Sequence, residues 1–196
     1  MCIFGGVLGD GQVLVLQALT ALSIAGSIVF WVLVYGRAGI GLRGYAVPIA
    51  LWVVLGTLDI LITAKGTFKD PLREGNPLAE LIFVKAGYIG PVVASVLWIA
   101  LWSGIVLAVN VAAKKPKQKN NNPRRAAEFV SLAIFYSLAT GHLSGFSSWF
   151  LPFCPIARAF RGYLIPVPGI VEIIFFGIVF AGAHMMVSGF LKRANE

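Results

Sequence analysis

Asp59 interrupts the apolar run "LGTLDILITA", His142 sits in "ATGHLSGF" and Glu172 in "GIVEIIFF". The chain has only eight Asp and Glu and two His among 196 residues, so each one inside an apolar run is informative. An ionisable side chain in a membrane helix costs several kcal/mol unless it is paired or wet, and it marks a candidate functional position. Carboxylates near an imidazole can serve proton transfer or metal ligation. Thr63 follows Asp59 by four residues, on the same helical face as Trp52 and Gly56. Glu74, Asn76 and Glu80 stand in or beside the next loop. A polar cluster of Asp59, Thr63, Glu74, Asn76, His142 and Glu172 is the candidate site.

The spacing of these residues calls for no cofactor. There is no His-Glu-x-x-His and no Cys-x-x-Cys, so a metal site would have to be assembled by the fold from Asp59, Glu74, His142 and Glu172. "GHLSGFSSW", residues 141–149, resembles the "AH-x-GG" helix that bears the general base of rhomboid proteases. Those enzymes carry Gly-x-Ser-Gly on an earlier helix, which this chain lacks. Ser144 follows His142 by two residues, too close on a helix to face it.

The elements that must position these residues follow from composition. With 58% hydrophobic and 12% charged residues, the chain has too little polar surface for a soluble globule, where about 25% charged residues is usual. Five windows reach the roughly 20 apolar residues needed to span the hydrocarbon, at about 13–35, 45–64, 89–112, 127–146 and 167–191. They run apolar throughout, whereas strands of a membrane barrel would alternate. The expected fold is therefore an all-α, polytopic membrane helical bundle in a single domain, 1–196.

Ten basic residues fall at Arg37, Arg43, in the loop 113–126 and at Lys192 and Arg193, against six in the opposite loops. The positive-inside tendency then predicts a cytoplasmic loop 113–126, an outside N-terminus and a cytoplasmic C-terminus. The segment "MCIFGGVLGDGQ" lacks a basic n-region, so the first span is expected to be retained. Cys2 and Cys154 are expected to be unpaired. A net charge of +8 does not imply nucleic acid, because "KKPKQKNNNPRR" has no aromatic residue for base stacking. It fits a solvated loop touching anionic lipid headgroups.

Small residues at four-residue spacing predict helix seams at Ala100, Gly104 and Ala108, at Gly177 and Ala181, and at Ser23 and Ser27. Towards the other end stand Asn110, Glu128, read as a first-turn acid, and His184, read as structural.

Asp59-x-x-x-Thr63, a short gap, then Glu74-x-Asn76-Pro77 and a further amphipathic helix resembles the motif of a family of small polytopic membrane proteins, chiefly bacterial and archaeal, to which no activity is assigned. The resemblance covers about residues 50–110, with a longer and more charged gap than it leads one to expect. It marks Asp59, Thr63, Glu74, Asn76 and Pro77 as motif positions and implies no reaction.

The residues themselves allow a structural role. Asn76 can cap a helix that has Pro77 at its first position and Glu80 in its first turn. Asp59 would then accept from the loop backbone or pair with Lys65 or Arg73. This favours a structural or accessory subunit of the cell membrane with a polar cluster at its outer face. A membrane-embedded enzyme using that cluster and a subunit of a transporter or channel are the alternatives; the lack of an inverted repeat disfavours a monomeric carrier. The partners expected are the lipid bilayer, anionic headgroups and a membrane-protein partner or second copy, with no nucleic acid.

Overall fold

Helix follows helix along the chain: α1 (Asp10–Arg37), α2 (Ala46–Thr67), α3 (Pro77–Ala86), α4 (Gly90–Lys114), α5 (Asn122–Phe150) and α6 (Gly169–Ala194). The computed structural model describes residues 9–67, 77–114, 122–150 and 169–194, and among these there is no strand. Among the described residues, five helical stretches are long and apolar enough to cross a membrane: Asp10–Arg37, Ala46–Lys65, Glu80–Lys114, Pro123–Phe146 and Ile173–Leu191. The protein is thus an all-α bundle suited to a bilayer. Leu14, Leu22, Phe30, Val54, Phe175 and Phe190 are exposed; lipid accommodates such a surface and water does not.

α5 is the shared helix, packing against α2, α4 and α6, while α1 packs against α2 and α4. Trp52 of α2 and Tyr45, just before that helix, pack in tilted geometry against Phe135 of α5 at ring centroid distances of 5.8 and 5.9 Å. Ile99, Val106 and Leu132 complete this core. Buried hydroxyls are satisfied locally: Thr20 donates to the Leu16 carbonyl and Ser95 to that of Pro91, each one turn back.

Glycine decides two chain reversals. α1 ends where Gly39 takes φ +64, which lets its N–H reach the Gly36 carbonyl and that of Ile40 reach Tyr35. Lys114 Nζ donates to the Ala38 carbonyl and, at 3.0 Å, to that of Gly39, placing a cation on the helix's negative end. Between α3 and α4, Gly87 also has φ +64. A Cβ on Gly90 would lie 2.6 Å from the Phe83 Cα, although residues seven apart on a straight helix rise about 10 Å. The chain therefore turns sharply before α4.

Some expected boundaries and seams move. α5 begins at Asn122, so the loop 113–126 is shorter than expected, because Pro123 suits a first turn. Glu128 consequently lies beyond the first turn, with Oε1 beside Gly44. Burial pushes the Tyr45 hydroxyl above its ordinary range, and the Glu128 carboxylate adds to this. Gly104 faces Trp31, but Ala108 is exposed, so that stripe is only partly a seam. Gly177 and Ala181 do form one, buried against α5. Cys2, Cys154 and Arg73 lie outside the described residues.

Candidate functional site

α2 and α5 lie side by side in parallel register. Gly44 meets Glu128, Trp52 meets Phe135, Gly56 meets His142 and Asp59 meets Gly145. This register brings two ionisable groups together: His142 Nδ1 lies 2.8 Å from Asp59 Oδ2. Their side chains are 13% and 16% exposed. One hydrogen bond thus joins the imidazole of α5 to the carboxyl group of α2.

Each helix provides a glycine three residues from its polar residue, and each glycine receives the other helix's side chain. A Cβ on Gly145 would stand 2.7 and 2.8 Å from the two Asp59 carboxylate oxygens, closer than packed atoms come. A Cβ on Gly56 would stand 3.3 Å from His142 Cδ2 and 3.4 Å from Nε2. The absent methyls let the backbones approach until a short aspartate and an imidazole can touch, which is the use of small residues between membrane helices.

Of the residues expected in the cluster, the structure joins Asp59 and His142, with Thr63 Oγ1 at 3.5 Å from Asp59 Oδ1. Glu74 and Asn76 lie outside the described residues. Glu172 falls within α6, but its side chain lies outside the described part. α3 starts at Pro77 and has Glu80 in its first turn. Of the partners expected for Asp59, Lys65, six residues on, is exposed on another face of α2, and the loop 68–76 with Arg73 lies outside the described residues; the contact that the structure shows is with the imidazole of α5.

Further polar contacts join other helices. Gln17 Nε2 donates to the Leu61 carbonyl, linking α1 to α2. Tyr35 OH donates to the Ser103 carbonyl between α1 and α4, and Asn110 Nδ2 donates to Ser131 Oγ at 2.8 Å between α4 and α5. Elsewhere on α5, Tyr136 OH lies 2.9 Å from His184 Nδ1, linking α5 to α6.

Sequence reading missed Gly145 and Tyr136. Gly145 stands one turn beyond His142, but its role comes from the Asp59 carboxylate of another helix and could not be read along α5. Tyr136 carried no signal beyond its hydroxyl in an apolar run.

Among the described residues, no three His, Cys, Asp or Glu side chains gather to hold a metal ion. What remains is a histidine whose Nδ1 is engaged by a carboxylate from the neighbouring helix. No protein-family model matches the chain, and neither a curated protein nor a solved structure does.

Proposed function

We propose that this chain is a structural or accessory subunit of the cell membrane, in which the Asp59–His142 contact latches α2 to α5 in the outer half of the bilayer. The observation that carries the proposal is the reciprocal glycine seat: Gly145 makes room for the carboxylate and Gly56 for the imidazole. Two helices shaped around one polar contact are shaped to be held together. The Asp59-x-x-x-Thr63 … Glu74-x-Asn76-Pro77 resemblance supports the same assignment, since it marks the acid that forms the latch.

The basic end carries the second part of the proposal. Arg37, Arg124, Arg125 and Arg193 are exposed there, which suits cytoplasmic anionic headgroups and supports an outer position for the latch. The exposed apolar faces await lipid together with a membrane-protein partner or a second copy.

Thermal unfolding in mild detergent tests the latch. Asp59→Ala and His142→Ala should each lower stability by about 1–3 kcal/mol, and the double variant should lose little more than either one because the two share a contact. Full additivity would remove the latch. The orientation has its own test, starting from a chain with Cys2 and Cys154 replaced by Ser. A cysteine in "GTFKDP" should react with a membrane-impermeant thiol reagent in intact cells, and one in "KQKNNN" should resist it. The reverse pattern would invert the topology.

A further inference from the structure

α1 and α2 touch at one end and part towards the other. Val13 and Leu16 pack on Ala64, and Gln17 Nε2 donates to the Leu61 carbonyl. Towards the basic end a crevice of about 290 Å³, counted with its open mouth, lies between the two helices. Buried Tyr35, Trp52 and Phe135 form its floor, while Trp31, Val32 and Val53 stand partly exposed at its rim. The Tyr35 hydroxyl is spent on the Ser103 carbonyl. So apolar a wall favours an alkyl chain, because a polar ligand would lose its hydrogen bonds to water there without replacing them.

The crevice has the depth of one leaflet. Tyr35 and Ile28, the ends of its α1 wall, lie two and nine residues inside Arg37, or about 3 and 14 Å at 1.5 Å per residue. Half of the hydrocarbon layer is about 15 Å. Above it stands a cation. Lys114 lies eleven residues beyond Ser103, three turns on and so on the same face of α4, and its Nζ donates to the Ala38 and Gly39 carbonyls at the end of α1. An ammonium has three N–H donors, so one is left for an anionic oxygen. Exposed Arg37 adds charge to this end, and Glu128, the acid found there among the described residues, is offset by Arg124 one turn before it on α5.

We propose that this crevice seats one acyl chain of an anionic phospholipid, with its phosphate held at Lys114. The chain fills the aromatic-walled space between α1 and α2, and the headgroup stays at the interface, where the lysine stem carries its charge. Lipid elsewhere on the bundle meets an apolar face alone; here chain and headgroup are held together. The proposal rests on the reading that the basic end meets anionic headgroups, and it adds where one such lipid sits.

The full chain, placed in nanodiscs of equal parts phosphatidylglycerol and phosphatidylcholine and then extracted into mild detergent, tests it by native mass spectrometry. One phosphatidylglycerol should stay bound in preference to phosphatidylcholine. Lys114→Gln retains an amide that can donate to the α1 carbonyls, and it should lower that preference roughly fivefold, the scale of one basic residue at an anionic surface. Val32→Phe, at the exposed rim, should displace retained lipid of either headgroup, whereas Leu22→Phe, exposed on α1 away from the crevice, should displace none. Phosphatidylglycerol with a diazirine in one acyl chain should crosslink to residues 28–35 and 49–53.

Absence of retained lipid, retention unchanged by Val32→Phe, equal retention of the two headgroups, crosslinks confined to other segments, or a second copy of the chain seated in the crevice would each overturn the proposal. Failure of the orientation is distinguishable. Reversed thiol labelling with phosphatidylglycerol still held moves the seat to the other leaflet without emptying it, and equal retention with the expected labelling keeps the orientation and removes the seat.

Discussion

α5 is gripped on two sides by different means. Towards α2 the contact is an acid and an imidazole with a glycine opposite each. Towards α6 it is close backbone approach: a Cβ on Gly177 would collide with Ser137 Oγ and lie 2.8 Å from the Ala133 carbonyl oxygen and 2.9 Å from the Ser137 nitrogen. Both interfaces contain a histidine, but the Tyr136 hydroxyl that meets His184 is neutral, whereas Asp59 brings a carboxylate to His142. The α6 seam is specific in shape and the α2 seam in charge. A shape-matched seam should fail when volume is added, and a charge-matched seam when a partner is removed.

The largest effect is therefore expected at Gly177. Gly177→Leu should force α6 away from the α5 backbone and cost about 3 kcal/mol or more, by analogy with overpacked cores, read as a fall in melting temperature and as new protease cleavage in α6. If stability is unchanged, the seam is looser than described and the contrast disappears.

Gly145→Ala comes next, at about 2 kcal/mol, because its methyl would drive the Asp59 carboxylate off the imidazole. This variant links the two kinds of seam, since it adds volume in order to break a charged contact. Asp59→Ala in the same chain removes the colliding carboxylate, so the double variant should be no less stable than Gly145→Ala alone. Fully additive losses would mean that the methyl clashes with something else.

Tyr136→Phe should cost least, about 0.6 kcal/mol, the average for hydrogen bonds between membrane helices. Measured beside Asp59→Ala, it gauges how much the charge adds. Equal losses at the two histidines would make the α2 contact an ordinary hydrogen bond.

Much of this arrangement could be read from the sequence, with identifiable gaps. Hydropathy located five spans because each is continuous and apolar. Asp59 and His142 stood out because ionisable groups are rare in such runs. Their pairing could not be read, because it depends on which helices are neighbours and in what register. A register shift of one residue would rotate Asp59 about 100° away from α5. Gly145 was illegible for a related reason: its meaning lies in the atoms of another helix. The turn before α4 had its glycines in plain view, but a hydropathy window does not register direction.

The Asp59–His142 contact spans 83 residues of sequence, which gives it a place in time during synthesis. At roughly 5–20 residues per second, a ribosome takes about 4–17 seconds to travel from the codon for the acid to the codon for its imidazole. For most of that interval α2 has been made and α5 has not. An acid at the edge of the hydrocarbon cannot stay bare for seconds without cost, so it must hold a proton, stay near the wet interface or remain sheltered by the insertion machinery. The last turns of α5 are then the moment at which the second helix is released from that waiting state, and a ribosomal pause between the two codons would lengthen the vulnerable period without altering a single residue.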